Sequence, residues 1–389
     1  MKEEFPVVVE TAPAASREGV RRDPIRVGVI GSGSVAQKYI PHMQRMNIPR
    51  QRVDIAVVCD PVERQWDDAR QRYGLDTFTP DYREVLADPE IELVLVLTSM
   101  QQHGEIAWAA LEAGKHVLVE KPMAMTLPEA AELVELAERS PGHLVCAPHV
   151  VLSPTYQAIW QRLQQGAIGT VLSARGFYGW SGPSWGQWFY RPGGGAMFDL
   201  GVYNVTTLTG LLGPARRVMA MSGIAIPERV VDGELIQVGT HDNAHLLLDF
   251  GDARYAVVTT GFTMQRYNVP GIELYGSEGT IQMIGEDWAP AGYEMWQNSA
   301  GCWQIFEDQS RWPWTDGIRH MIECIETDTA PVITPEHAYH VLEIMLKSME
   351  SGETGQAITV ASTFTPPRFE GASTLGPGAH LVHDPGAET

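Results

Sequence analysis

The sequence predicts an α/β domain with a parallel sheet, followed by an α+β domain with antiparallel strands. Three observations carry that reading. Continuously apolar runs alternate with helical stretches from Ile25 to Ala147, the pattern of a parallel sheet covered on both faces. After about residue 150 the apolar residues alternate along the strands instead, as on a sheet with one buried face. The chain of 389 residues is long enough for two domains of ordinary size.

The elements follow in order. Ile25–Ile30 (IRVGVI) is a β-branched run bounded by glycine and reads as a buried strand. A glycine-containing turn and a helix toward Met46 come next. Val53–Cys59 is a second strand ending at Asp60-Pro61, and residues 62–73 read as a helix. Residues 91–98 (IELVLVLT) form another buried strand, and residues 105–113 a helix that stops at Gly114. Residues 117–119 are a strand closed by Glu120-Lys121-Pro122. Leu127–Arg139 is a helix with a capping-box pattern, Thr126 and Glu129 standing three apart. Residues 144–147 are the last strand of this series. Ser153-Pro154 then opens a helix to Gln165, with Ser as N-cap and Pro in the first turn. Residues 171–178 and 241–262 alternate like antiparallel strands, and helices at 316–326 and 335–349 close the ordered body. The expected limits are an arm at 1–24, domains at 25–150 and 151–364, and a Pro-, Gly- and Ala-rich tail at 365–389. The arm lacks an apolar stretch after a basic start, so it is not expected to be a signal peptide.

Charge and cysteine usage exclude several classes. Lys plus Arg is 28 and Asp plus Glu is 48, so the formal charge is −20. So acidic a chain, without a basic run, is not expected to bind nucleic acid. No apolar stretch reaches the roughly 18–20 residues of a membrane span. Cys59, Cys146, Cys302 and Cys324 form no C-x-x-C pair, so a reducing cytoplasm is expected. His241 and His245, and His337 and His340, have no carboxylate or Cys companion at metal spacing, so no metal is expected.

The turn after the first strand is Gly31-Ser32-Gly33-Ser34-Val35-Ala36. The first Gly allows a tight turn, and the second lets backbone approach a pyrophosphate. The small Ala36 lets helix and strand pack closely. Asp60, at the end of the second strand, is placed to bind ribose hydroxyls and repel a 2′-phosphate, which favours NAD over NADP. Arg64 could soften that bias, though a solvated helix charge is the simpler reading. Thr98, and Glu120 with Lys121, end strands where open α/β sheets bind ligands. A second constellation runs Gly193-Gly194-Gly195-Ala196-Met197-Phe198-Asp199-Leu200-Gly201-Val202-Tyr203. Asp199 and Tyr203 are four apart, so on a helix they share a face. Such a pair can orient a hydroxyl and move its proton, although spacing alone fits an ordinary helix start equally well.

In this order and spacing the glycine fingerprint, Glu120-Lys121-Pro122 and the Gly193–Tyr203 motif resemble the Gfo/Idh/MocA family. Its members include glucose–fructose oxidoreductase, inositol dehydrogenase and their relatives. The resemblance covers about residues 25–360, and His103 and the Ala113-Gly114-Lys115-His116 run agree with it. It implies an α/β Rossmann domain followed by an α+β domain with an open, mainly antiparallel sheet. That sheet usually makes the subunit contact, and such a face, lacking helices to cover it, needs a partner; a homo-oligomer, dimer or tetramer, is expected. The implied chemistry is hydride transfer between a nicotinamide and a carbon bearing a hydroxyl or carbonyl, on a carbohydrate or polyol substrate. Lys121, Asp199 and Tyr203 become the expected catalytic residues. Ser32, Ser34, Val35 and His103 join Gly31, Gly33, Ala36, Asp60, Thr98, Glu120 and Lys121 as expected cofactor contacts.

Tyr203 stands where inositol dehydrogenases carry His, which makes a phenol the expected acid/base. A nearby Lys121 charge should lower its pKa from the ordinary value of about 10. His149, in a stretch where many relatives differ, is an expected substrate contact. So are Trp180, Trp185, Trp188 and Arg191, in an aromatic segment that also holds Phe189 and Tyr190 and runs into the glycines. Trp faces suit the C–H faces of sugars. The role of Trp288, Trp296, Trp303, Trp312 and Trp314 stays open. Two other functions stay open as well: a redox-neutral enzyme with tightly bound NAD(P), and a non-enzymatic sugar sensor on the same fold.

Overall fold

The structure, a computed structural model, describes residues 23–369 and 381–382. Six short apolar segments build the first sheet. They are β1 (Ile25–Ile30), β2 (Val53–Cys59), β3 (Phe78–Thr79), β4 (Leu93–Val96), β5 (His116–Val119) and β6 (Leu144–Cys146). Their order is β3-β2-β1-β4-β5-β6, parallel throughout. This is the doubly wound Rossmann order, with its crevice between β1 and β4, where the winding reverses. Helices α1 (Ala36–Met46), α2 (Glu63–Tyr73), α3 (Tyr82–Ala87), α4 (His103–Glu112) and α5 (Leu127–Arg139) connect the strands.

Helix α1 buries Ala36, Tyr39, Ile40 and Met43, one face at helical spacing, although Pro41 lies inside it. An interior Pro costs about 3 kcal/mol. Full burial of two or three such large side chains at about 1.5–3 kcal/mol each exceeds that cost. The cap of α5 departs from a reciprocal box. Thr126 Oγ1 accepts from Glu129 N at 3.4 Å, but Glu129 Oε2 accepts from Met125 N at 2.9 Å, one residue further back.

The second sheet is mixed and large. It comprises β7 (Val171–Gly179), β8 (Arg217–Gly223), β11 (Asn243–Asp249), β12 (Tyr255–Gly261), β13 (Ile272–Gly276), β14 (Gly279–Glu286), β15 (Ala289–Gln297), β16 (Cys302–Glu307), β17 (Ile358–Thr359) and β18 (Leu381–Val382). The order is β17-β8-β11-β12-β7-β13-β14-β15-β16-β18, and only the β7–β12 pair is parallel. A separate hairpin, β9 (Glu228–Val231) and β10 (Glu234–Gln237), interrupts the chain between β8 and β11.

The expectation that this sheet has no helices of its own is corrected. Helices α6 (Pro154–Gln164), α7 (Val202–Leu212) and α9 (Pro335–Thr354) pack on β15, β7 and β8. The opposite face is the bare one, and Met219, Met221, Leu247 and Val257 stay exposed on it. Helix α8 (Gly317–Thr327) leaves the second sheet and lies against α1. There His42 Nδ1 is 2.8 Å from Thr315 Oγ1, Arg52 bonds both oxygens of Glu326, and Trp314 meets Tyr39 edge-on at 5.7 Å. Trp296 and Trp303 instead face each other across β15 and β16 at 6.0 Å, so the second tryptophan group is divided between two places.

Most of the expected N-terminal arm, residues 1–22, lies outside the described residues, as does most of the tail. Part of the tail departs from expectation: Leu381–Val382 extend the sheet beside β16, and Phe369 packs on Tyr156 and Trp160. Among the described residues no helix is long and apolar enough to cross a membrane.

Candidate active site

A cavity of about 610 Å³ opens at the carboxyl ends of the Rossmann strands. Its floor is the turn after β1. Gly31 has φ +93°, and a Cβ there would stand 2.6 Å from the carbonyl oxygen of Leu97. A Cβ on Gly33 would meet no atom within 4 Å, so the chain leaves space over this residue. Val35, at the N-cap of α1, offers no capping side chain, which leaves the first helical N–H groups for an anionic oxygen. Asp60 closes the other side. Its Oδ2 accepts from Ser32 N at 2.9 Å and Ser32 Oγ at 3.1 Å, and its Oδ1 accepts from Val62 N at 2.9 Å. These residues fit a dinucleotide: glycine where backbone must approach, an uncapped helix start, and a carboxylate at ribose position.

Gly31, Gly33, Ser34, Val35, Asp60, Thr98, His103, Glu120 and Lys121 all line this cavity. Ser32 touches Asp60 from behind it, while Ala36 packs in the core. The lining also includes Asp81, Tyr82 and Arg83, which no sequence motif marked. The Arg83 guanidinium lies 4.7 Å over the Tyr82 ring and 3.3 Å from Asp81 Oδ1. Arg64 is exposed and outside the lining, in keeping with a solvated helix charge.

At the inner end the two domains meet. Lys121 Nζ donates to Asp199 Oδ1 at 2.8 Å and to the Asp199 carbonyl oxygen at 2.9 Å. Both side chains are mostly buried, at 11% and 17% exposure, so this ion pair is screened less than a surface pair. Asp199 does not begin an ordinary helix. It sits in a single π-helical turn, Met197–Gly201, that leads into α7; such turns recur at functional sites. Tyr203 follows in the first turn of α7, with Lys121 Nζ 5.5 Å over its ring and Tyr178 packed edge-on at 5.9 Å.

The expected lowering of the Tyr203 pKa is corrected. Burial holds the phenol well above its ordinary value, and the Glu120, Asp199 and Asp287 carboxylates add to the rise. The Lys121 charge is engaged by Asp199 rather than free to act on the phenol. Tyr203 is also absent from the cavity lining. Asp287, unmarked in the sequence, is a buried acid that accepts from Asn204 Nδ2 at 3.0 Å and Thr207 Oγ1 at 2.7 Å on α7. Burial pushes it up to about 7.

Two histidines have roles other than substrate contact. His149, expected at the substrate, is 1% exposed. Its Nε2 is 3.0 Å from the Tyr39 hydroxyl, which donates to Glu120 Oε1 at 2.8 Å. Burial lowers its pKa to about 3. It therefore supports the end of β5 from inside the core, a correction to its expected place. His103 ties two loops: Nδ1 is 2.8 Å from the Pro122 oxygen and Nε2 is 3.1 Å from the Thr98 oxygen. A neutral ring can donate to only one of them, and burial lowers the pKa of this one. Of the aromatic segment, Trp188 lines the cavity together with Phe189, stacked on it at 3.7 Å. Trp180, Trp185 and Arg191 stand outside the lining.

Comparison with known proteins decides the family. The family model for the oxidoreductase family with an NAD-binding Rossmann fold matches residues 25–146, and that for the GFO/IDH/MocA C-terminal domain matches residues 156–282. The chain belongs to the Gfo/Idh/MocA oxidoreductase family. As a member, it is an NAD(H)-binding oxidoreductase. Among its relatives is the levoglucosan dehydrogenase of Pseudarthrobacter phenanthrenivorans, 28% identical over 66% of this chain and 73% of that protein. Another is the 1,5-anhydro-D-fructose reductase of Ensifer adhaerens, 28% identical over 86% of this chain and 98% of that protein. In fold, the chain resembles a levoglucosan dehydrogenase solved with NADH and L-sorbose, with a TM-score of 0.79 at 22% identity over 87% of this chain and 99% of that one. Lys121 lies within the first of the two matched spans of the Gfo/Idh/MocA family and Asp199 within the second.

Proposed function

We propose that this protein is an NAD(H)-dependent dehydrogenase or reductase of a carbohydrate, polyol or glycoside, acting between a secondary alcohol and its ketone. The observation that carries the proposal is the Lys121–Asp199 pair, which joins the two domains at the inner end of the dinucleotide cavity, beside Trp188 and Phe189. The relatives named for levoglucosan and 1,5-anhydro-D-fructose support a cyclic, C–H-rich substrate, which an aromatic wall suits.

When bound, NAD(H) supplies the nicotinamide carbon that exchanges hydride with the substrate. The chain supplies the rest. Lys121 Nζ has donor capacity beyond its two bonds to Asp199 and holds the substrate oxygen. Asp199 keeps the ammonium in place, and the pair handles the proton of that oxygen. Tyr203, neutral because its pKa is raised, supports the pair as a phenol rather than as a phenolate base. Trp188 and Phe189 exclude water from one side.

Turnover of a panel of anhydrosugars, free sugars and polyols, followed at the NADH band, tests this. NADH formation with at least one member is expected. Activity confined to a substrate without a ring-borne or chain secondary alcohol would overturn it.

We further propose a preference for NAD(H) over NADP(H). A carboxylate roughly 4 Å from a 2′-phosphate costs about 4 kcal/mol at surface-like screening, which is several hundred-fold in affinity. Asp60→Ala is expected to narrow the gap between NADH and NADPH dissociation constants by at least about tenfold. An unchanged ratio in a fluorescence titration would remove Asp60 from that role and turn attention to Arg83.

We also propose a homo-oligomer joined through the bare face of the second sheet. Met219 and Met221 are 45% and 79% exposed on β8, and exposed apolar stripes of this kind mark contact surfaces. Light scattering is expected to give at least twice the mass of one chain at micromolar concentration. A monomer at that concentration would contradict it.

A further inference from the structure

The β9–β10 hairpin belongs to neither large sheet, yet it is bonded along its length to the aromatic segment at 180–191. We propose that this hairpin is a clasp with Arg229 as its positioning residue. It sets the aromatic wall against the cavity and thereby governs affinity for the carbohydrate, an inference that rests on the function proposed above.

The geometry is that of a fork closing a loop onto a sheet. Arg229 Nη1 donates to the Ser181 carbonyl oxygen at 2.6 Å, at the start of the aromatic segment. Its Nη2 donates to the Phe262 carbonyl oxygen at 2.6 Å, just past β12, and to Asp242 Oδ2 at 3.0 Å. Asp242 is 1% exposed and also accepts from Ala225 N at 2.7 Å and Ile226 N at 3.2 Å, so it holds the chain entering the hairpin as well. The guanidinium lies 5.2 Å over the Tyr190 ring, and the Tyr190 hydroxyl donates to the Pro183 oxygen at 2.8 Å. Gly182 has φ +87°, and a Cβ there would lie 2.5 Å from the Tyr190 hydroxyl and 2.9 Å from Arg229 Nη1, so the segment packs closely on both side chains.

The tip of the hairpin makes a second set of bonds. Asp232 N donates to the Ser184 oxygen at 2.9 Å, and Gly186 N donates to Asp232 Oδ2 at 3.0 Å. Gln187 Nε2 donates to Glu234 Oε2 at 3.0 Å, and Gly239 N to the Tyr190 oxygen at 2.8 Å. The wall thus held ends in Trp188 and Phe189 at the cavity. Phe189 and Trp180 both meet Phe262 edge-on, at 6.4 Å and 6.3 Å. One guanidinium therefore fixes the spacing between the start of the wall and the residue the wall packs on. A guanidinium has the rigid planar fork this needs, and an ammonium does not. None of Arg229, Asp232 and Asp242 lines the cavity; the clasp acts through Trp188 and Phe189, the proposed substrate wall, and makes no bond to the glycine turn or Asp60 proposed to hold the cofactor.

The experiment compares Arg229→Lys and Asp232→Gly with the parent protein by steady-state kinetics, NADH titration and amide hydrogen exchange of residues 180–191. Lysine keeps the charge beside Asp242 and loses the fork. Asp232 is exposed with φ +54°, so glycine suits its backbone and only the Gly186 contact is lost. Arg229→Lys is expected to raise KM for the carbohydrate by about 10- to 100-fold, the worth of hydrogen bonds to a charged group, with kcat much less affected. Asp232→Gly should raise KM less. NADH affinity should stay unchanged in both, and exchange across 180–191 should quicken in both. Unchanged KM in both variants, or unchanged exchange, overturns the clasp. If Arg229→Lys fails to fold, Asp232→Gly alone decides by the same readouts. If the parent protein turns over no carbohydrate, the proposed function fails, while the exchange comparison still decides whether the hairpin holds the wall.

Discussion

Lys121→Met is expected to lower kcat by about 10²–10⁴-fold, the range a positioned proton-transfer group contributes. Affinity for NADH should stay near that of the parent protein, because the residues proposed to hold pyrophosphate and ribose, Gly31, Gly33 and Asp60, stand elsewhere in the cavity lining. The variant loses the substrate contact and leaves the partly buried Asp199 carboxylate without its cation. Stopped-flow kinetics with one accepted substrate, beside an NADH titration, checks both halves. Tyr203→Phe is the contrast. A neutral phenol acting through one hydrogen bond is worth about 0.5–1.5 kcal/mol, or up to about tenfold. Since burial and three carboxylates hold the phenol above its ordinary range, Tyr203 stays protonated throughout neutral and mildly alkaline pH. The oxidation rate should therefore show no rise due to Tyr203 below about pH 10. An alkaline limb present in the parent protein and absent in Tyr203→Phe would return the acid/base role to the phenol. Near-full kcat in Lys121→Met would remove the lysine from the chemistry.

Gly31→Ala is expected to cost about 2–5 kcal/mol of stability. The left-handed backbone contributes about 1–2 kcal/mol for an L-residue, and overpacking contributes about 1–3 kcal/mol. The Cβ would meet the Leu97 carbonyl oxygen at 2.6 Å, and backbone cannot swing aside as the end of a side chain can. The melting temperature should fall by roughly 2–6 °C for a chain of this length, and NADH binding should be lost as the turn shifts. Gly33→Ala separates the two effects. Its Cβ meets nothing within 4 Å, so the fold should keep its melting temperature while the methyl group fills pyrophosphate space and weakens NADH binding. Calorimetry and NADH titration on both variants decide. Equal losses of stability would show that the open space over Gly33 is not what the turn preserves, and an unperturbed Gly31→Ala would show that the turn tolerates a side chain.

The dinucleotide end is legible in the amino-acid sequence because its signals are local. A strand, a Gly-x-Gly turn, a helix and a carboxylate after the next strand lie within residues 25–60, and backbone geometry dictates each. The start of α5 at Thr126 follows from the same short-range rules. The aromatic segment is visible as composition, but composition does not say which ring faces the cavity. Folding puts Trp188 and Phe189 there and leaves Trp180 and Trp185 behind them.

Contacts across long sequence separations depend on how the chain packs. Lys121 and Asp199 are 78 residues apart and meet only because the π-helical turn before α7 comes to lie against the segment that follows β5. The raised pKa of Tyr203 and the burial of His149 are properties of surroundings, set by Glu120, Asp199 and Tyr39 from separate elements. The hairpin leaves the weakest trace of all. Its strands are four residues each and largely exposed, so no apolar alternation marks them. What holds them is Arg229 reaching Ser181 and Phe262, 48 and 33 residues away. Local residue order is enough to specify the cofactor turn and the residue types of the site. Which of those residues face one another is settled only when the second domain closes on the first, because burial and pairing are properties of the packed chain.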